Sequence, residues 1–226
     1  MAGSIANLAE LVAPLAADPF LDPERRAGQG LLHGASANWS PDWFDWNRFL
    51  DIATGELPPD RLRVQHHRNR IDPALYRAGE GIDRAKLNLL LARGASMIAT
   101  EIHPLVPQLA AISADFHRRT GAHMRTGAIA STGRAGALPC HRDRIDGFIV
   151  QVDGAKLWRI YHPDAGPPEV AAHAAASPDA VEPALTVELA PGDYLFVPAG
   201  YWHECDTVGG RSLHLGFAFA KPDYRP

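Results

Sequence analysis

CHRDRIDGFIVQVDGAKLWRIYHP, from Cys140 to Pro163, reads as strand built around a turn. Two apolar runs, Phe148–Val152 and Leu157–Tyr161, flank Asp153-Gly154, a dipeptide that favours the tight turns of β-hairpins. The stretch predicts a hairpin whose second arm carries Lys156, one of three lysines in the chain. Just upstream stand His141 and Asp143. Side chains two apart on a strand project from one face, so an imidazole and a carboxylate are presented side by side.

The rest of the second half is punctuated in the same way. Short apolar runs (ALTVELA, DYLFVPA, SLHLGFAFA) are bounded by Gly, Pro and Asp, the pattern of a multi-stranded β domain. In APGDYLFVPAGYWH a Pro-Gly turn precedes a strand and a Pro-Ala-Gly turn follows it, with His203 where the next strand begins. PDAGPPEVAAHAAASPDAVEP, from Pro163 to Pro183, reads as a Pro/Ala-rich loop.

The first half reads as helices and loops. SPDWFDWNRFLDIATGE offers Ser40 as N-cap and Pro41 at the first helical position, followed by an apolar face of Trp43, Phe44, Trp46, Phe49 and Leu50. DRAKLNLLLARG is capped by Asp83 and stopped by Gly94, and HPLVPQLAAISADFHRRTG ends at Gly121. The architecture expected is mainly β: a sandwich or jelly roll over 122–226, with a helical region over 1–121 packed on it in one compact domain.

Composition narrows the function classes. The chain has 226 residues, a net charge of −4 and no basic run, so no nucleic-acid partner is indicated. Two cysteines make no disulfide framework. The N-terminus has no Lys or Arg ahead of its apolar residues and reads as an amphipathic helix (Ile5, Leu8, Leu11, Val12), not a signal peptide. No run is long and apolar enough to span a membrane, and a soluble, cytoplasmic protein is expected.

His203 completes a set with His141 and Asp143. Two imidazoles and one carboxylate form the facial triad of non-haem iron, which leaves coordination positions open. A His-x-Asp triplet alone is weak, and a second copy stands at His162-Pro163-Asp164. That copy contains a proline and follows a strand, so it reads as a turn with no shared inward face. The other histidines in the chain, apart from His214, read as surface or core residues. Ser212 and His214 share a strand face, and with Ser131 they form either part of the site or a satisfied core network. Cys140 is expected to point away from the His141 face, whereas Cys205 lies near the metal if its strand is regular; buried free thiols are the plainer reading.

At LPCHRDRIDGFIVQVDGAKLWRIYHP, ELAPGDYLFVPAGYWHE and RSLHLGFAF the chain resembles the JmjC-type cupins, in the branch that includes the ribosomal oxygenases. The likeness extends upstream to about Trp43. It implies a double-stranded β-helix that binds Fe(II) and 2-oxoglutarate and hydroxylates an aliphatic carbon. His141, Asp143 and His203 match the family's iron ligands. Lys156 stands where the family places the basic residue that pairs with the distal carboxylate of 2-oxoglutarate, and a lysine ammonium is a compact point charge suited to one carboxylate. The family's tyrosine on the preceding strand is replaced by Ile129, which leaves Ser131 or His214 to supply that hydrogen bond.

Ribosomal oxygenases resemble one another in a further C-terminal region, and this sequence stops soon after GFAFAKPDYRP. The expectation drawn is an amino-acid or peptide substrate in a biosynthetic pathway, with a ribosomal protein as the alternative. A homodimer is the expected assembly. Arg142, Arg144 and His66-His67-Arg68 are either a solvated charged surface or a grip on acidic substrate groups. Two other classes fit the triad: a metal-binding cupin without oxygenase activity, and a zinc isomerase or hydrolase recruiting His214 or Cys205 as a fourth ligand.

Overall fold

The computed structural model describes residues 30–35, 43–165 and 181–220. The expected N-terminal amphipathic helix, the Ser40-Pro41 helix start and most of the Pro/Ala-rich stretch lie outside the described residues. In chain order the strands are β1 (Leu32–Ala35), β2 (Leu62–His66), β3 (Asn69–Arg70), β4 (Arg77–Ala78), β5 (Gly81–Ile82) and β6 (Ser96–Ala99). They continue as β7 (His123–Ser131), β8 (His141–Arg142), β9 (Asp146–Tyr161), β10 (Leu185–Leu189), β11 (Asp193–Val197) and β12 (Trp202–Ala220). The α-helices are α1 (Trp46–Asp51), α2 (Arg84–Leu91) and α3 (Pro107–Thr120).

Two long strands organise the fold. β9 and β12 pair antiparallel from Phe219↔Asp146 to Trp202↔Tyr161. The first half of β9 also pairs with β11 and its second half with β10. The second half of β12 also pairs with β7, and its first residues pair with β8. The two strands therefore each serve two sheets. The larger runs β3-β2-β6-β7-β12-β9-β11-β1, and the smaller is built from β8, β12, β9 and β10. This is the double-stranded β-helix, or jelly roll.

The corner between the sheets corrects one sequence expectation. Asp153-Gly154 does not close a hairpin, because β9 runs through it without reversing. Opposite it the register slips between Val208 and Ser212, where Gly209 and Gly210 both have positive φ. Gly154 has φ +59°, and a Cβ there would lie 1.9 Å from the carbonyl oxygen of Arg211. The dipeptide thus signals a genuine backbone demand, met by a bulged bend where strands change sheet and not by a turn.

The first half also holds more strand than expected. β2 and β6 extend the larger sheet across position 121, because β2 pairs with β6 and β6 with β7. Ser96–Ala99 is buried at every position, so it has no alternation to reveal it. α1 starts at Asp45, whose Oδ1 accepts from the Arg48 N–H at 2.7 Å. α2 is capped by Asp83, and α3 ends at Gly121 in the left-handed region, both as expected.

Apolar side chains segregate to the two faces of the larger sheet. Phe148, Val150, Leu213, Leu215, Phe217 and Phe219 pack outward against the helices, with Phe116 of α3 stacked on Phe219 at 4.9 Å. Ile149, Trp158, Ile160, Leu189, Leu195 and Val197 fill part of the roll. Burial of each such side chain contributes about 1.5–3 kcal/mol. The remaining inner face is left as a cavity. No helix among the described residues is long and apolar enough to cross a membrane.

Candidate metal centre

His141 of β8 and His203 of β12 are direct cross-strand partners, which brings their rings to a centroid distance of 4.3 Å. Asp143 follows β8, and its backbone oxygen accepts from the Gly200 N–H at 2.8 Å, tying it to the turn before β12. One ligand atom from each of the three lies within 4.8 Å of the others. Asp143 Oδ2 is 3.7 Å from His203 Nε2.

Backbone carbonyls set the ring nitrogens. His141 Nδ1 donates to the Pro139 oxygen at 2.9 Å, and His203 Nδ1 to the Tyr201 oxygen at 3.1 Å. A proton held on Nδ1 leaves the Nε2 lone pair for a cation, the arrangement usual for metal-bound histidine. Burial, reinforced by His141, holds the His203 imidazole below its usual pKa and so in the neutral form that ligates. The donor set fits a divalent transition-metal ion with positions left open. No other His, Cys, Asp or Glu joins this group among the described residues, so the fourth ligand a structural zinc would need is missing from it.

Lys156 lies on the same face of β9 as Trp158, which lines the cavity, but is fully buried and is itself not part of the cavity wall. Its Nζ is 2.9 Å from Nδ1 of His214, itself buried and on the cavity wall. Among the described residues no carboxylate pairs with this ammonium. Burial pushes the Lys156 amine down to about 8. Burial and the adjacent ammonium hold His214 well below its usual value, so His214 is the neutral acceptor of the pair. Ser131 and Ser212 are buried register partners, and neither is on the cavity wall. The Ser131 hydroxyl accepts from Ser96 at 2.9 Å, whereas the Ser212 hydroxyl has no partner among the described residues. Ile129 is paired with His214 across the strands and also faces the cavity.

The cavity has a volume of about 520 Å³ and contains all three triad residues in its wall. A JmjC domain matches residues 106–226, the span that carries the triad and Lys156. The chain belongs to the JmjC domain family.

This JmjC chain is 29% identical to rat (Rattus norvegicus) ribosomal oxygenase 1 over 228 residues, covering 91% of the chain and 35% of that protein. It is 39% identical over 106 residues to the bifunctional lysine-specific demethylase and histidyl-hydroxylase NO66 of Aedes aegypti, covering 44% of the chain and 16% of that protein. Among solved structures it is similar to YcfD, a ribosomal oxygenase from Escherichia coli, with a TM-score of 0.57 and 19% identity. That match covers 92% of this chain and 52% of YcfD. YcfD in complex with cobalt and 2-oxoglutarate superposes with a TM-score of 0.55 and 17% identity, covering 89% of this chain and 51% of YcfD. The chain thus spans about a third of the rat relative and about half of YcfD, and the structural likeness carries the fold.

Other residues named from the sequence fall outside the JmjC triad. Cys140 is half-buried beside His141, and burial pushes its thiol up to about 11. Cys205 reaches the cavity wall, and burial also raises its thiol. Both thiols are held in their neutral form. Arg142 stacks over Trp202 at 5.0 Å, and Arg144 is exposed. His66 Nε2 donates to the Arg93 oxygen at 3.0 Å, and its ring meets His67 edge-on.

Arg68 has a structural partner that the sequence did not signal. With His67 it forms the β2–β3 turn at positive φ. From there it reaches Glu204 at 2.7 Å and Asp206 at 3.0 Å on the outer face of β12. Glu204 is buried, adjoins His203 in sequence, and also accepts from the Tyr161 hydroxyl at 3.3 Å. Arg159 closes the network on Asp206 at 2.8 Å. This cluster fixes the back of the strand whose front carries His203.

Proposed function

We propose that this chain is an Fe(II)- and 2-oxoglutarate-dependent oxygenase that hydroxylates an aliphatic carbon of an amino-acid or peptide substrate. The observation that carries the reading is the pairing of an open two-histidine, one-carboxylate set with a buried ammonium that has no carboxylate of its own. A buried charge without a counter-ion costs several kcal/mol, and a dicarboxylate entering the roll offsets that cost. Membership of the JmjC family and the cobalt and 2-oxoglutarate complex of YcfD support it.

His141, Asp143 and His203 would hold the iron. Bound there with 2-oxoglutarate and dioxygen, iron supplies an oxidant able to take hydrogen from an unactivated carbon, with succinate and carbon dioxide as coproducts. Lys156 binds the distal carboxylate, and His214 orients the ammonium from the cavity side. Ser212, with its unpartnered hydroxyl two residues from His214 on β12, is available as a further donor; Ser131 is committed to Ser96. Apolar neighbours such as Ile149, Ile129 and Trp158 keep bulk water from the reacting carbon.

The reading is tested by incubating the protein with Fe(II), ascorbate, 2-oxoglutarate and dioxygen and following succinate. Succinate from the wild type and none from His203→Ala is expected. No succinate from the iron-loaded wild type overturns it and favours a binding cupin. A second reading within this one, a ribosomal-protein target, is supported by the rat and Escherichia coli relatives. A gain of one oxygen on a purified ribosomal protein, dependent on this enzyme, is its test.

A further inference from the structure

The cavity extends away from the triad along the inner face of the larger sheet and changes character on the way. Register sets Arg63, Ile98, Ile129 and His214 side by side across β2, β6, β7 and β12, all on the cavity wall. With strands about 4.8 Å apart, the backbone of Arg63 stands roughly 14 Å from that of His214. Arg125 of β7 joins the wall at the same end. Between them Glu101 lies 3.1 Å from Arg61 and 3.9 Å from Arg125. The Arg63 side chain makes no hydrogen bond or ion pair among the described residues. The far end therefore presents two guanidinium groups on the wall, Arg63 and Arg125, against the carboxylate of Glu101, which Arg61 also pairs, in a chain whose net charge is −4. Glu101 also has φ +55°, a left-handed conformation that costs a non-glycine residue about 1 kcal/mol and that gathers where a site is held in shape.

The floor between the two ends is bare. Gly127 and Gly216 are register partners on β7 and β12, and Ala218 and Gly147 follow as the next pair on β12 and β9. A Cβ at Gly127 would lie 2.9 Å from the Ala99 carbonyl oxygen, whereas one at Gly216 would meet no atom within 4 Å. Neither packing nor φ demands a glycine there, although glycine in a strand costs about 0.5–1 kcal/mol. What the missing side chain leaves is room for another backbone to lie against the sheet.

We infer that the cavity takes an extended acidic peptide. Its residue to be modified lies at the triad, its backbone crosses Gly216, and a carboxylate roughly three or four residues away, at about 3.3 Å per residue, meets Arg63 and Arg125. The chemistry at the triad rests on the oxygenase reading; the peptide site does not.

The probes are fluorescein-labelled octaglutamate and octalysine, titrated by anisotropy at physiological salt. The wild type is expected to bind octaglutamate at least tenfold more tightly than octalysine. The double variant Arg63→Glu/Arg125→Glu is expected to invert that preference. Gly216→Leu, which leaves the charge unchanged, is expected to weaken octaglutamate at least tenfold. Mn(II) affinity, read by electron paramagnetic resonance, stays the same in all three, which shows that the triad end is intact. Octalysine binding as tightly as octaglutamate overturns the inference, as does wild-type octaglutamate affinity in both variants. Displacement of octaglutamate by equimolar free glutamate also overturns it, by showing a small-acid site. If this pattern holds while no succinate forms, the oxygenase reading falls and the peptide site stands. If succinate forms and the pattern fails, the reverse is true.

Discussion

Lys156 Nζ lies 2.9 Å from His214 Nδ1, and both side chains are buried where β9 and β12 change sheet. The pair is polar, enclosed and short of one negative charge. A folded chain tolerates such a deficit where a ligand makes it good. The electrostatics of the site follow from this.

The ammonium must carry its proton to bind a carboxylate. With the amine pushed down to about 8, it is charged below that pH, whereas above it a proton must be taken up with the ligand. 2-Oxoglutarate affinity, measured by calorimetry on the Mn(II)-loaded protein, is expected to be flat below pH 7. Above pH 8 it is expected to fall by up to about tenfold per unit. A flat profile to pH 9.5 contradicts this.

The same shift has the opposite sense for folding. The unfolded lysine keeps its proton to about 10.5 and the folded one only to about 8. The cost of burying the charge is complete below pH 8 and is relieved between 8 and 10.5. It is on the order of 3 kcal/mol. Lys156→Met is expected to melt at the same temperature as the wild type or higher at pH 7. Its 2-oxoglutarate affinity should drop by roughly 3–5 kcal/mol, a few hundred- to a few thousand-fold. A lower melting temperature with unchanged affinity would assign Lys156 to the core.

The corner at Gly154 is expected to be intolerant. Gly154→Ala combines a positive φ with a Cβ placed 1.9 Å from the Arg211 oxygen, against main chain that cannot swing aside. A loss of about 3 kcal/mol or more in urea unfolding is expected, since the bend has to open. Gly216→Ala, with open space, is expected to cost less than about 0.5 kcal/mol.

Breaking the Arg68 clamp leaves Glu204 buried without its main partner. Arg68→Ala is expected to cost about 3–5 kcal/mol. Adding Glu204→Gln to it should recover part of that loss, because the buried charge, left with only Arg159 at 3.6 Å and the Tyr161 hydroxyl, is then gone. Additive losses in the double variant would show that the two side chains act independently.

Much of this was legible in the sequence, for reasons that can be named. His141 and Asp143 are local, and the turn signals around Asp193–Val197 mark where His203 must stand. Lys156 stood out as a rare lysine in an apolar strand. What stayed hidden is non-local. Arg68 and Glu204 are 136 positions apart, and no local pattern joins them. β6 is buried on both faces and lacks the alternation that marks a strand. Asp153-Gly154 announces a backbone need without saying whether the chain reverses or bends, and only the pairing of β9 with β12 decides it. Arg63 and Arg125 share a cavity wall solely because β2, β6 and β7 lie in one sheet.

The most direct measurement is an anomalous difference map from crystals grown anaerobically with Mn(II) and 2-oxoglutarate. The account predicts one metal peak within bonding distance of His141, Asp143 and His203, and the distal carboxylate of the ligand on Lys156 Nζ. A peak elsewhere, or a carboxylate turned away from Lys156, would contradict it.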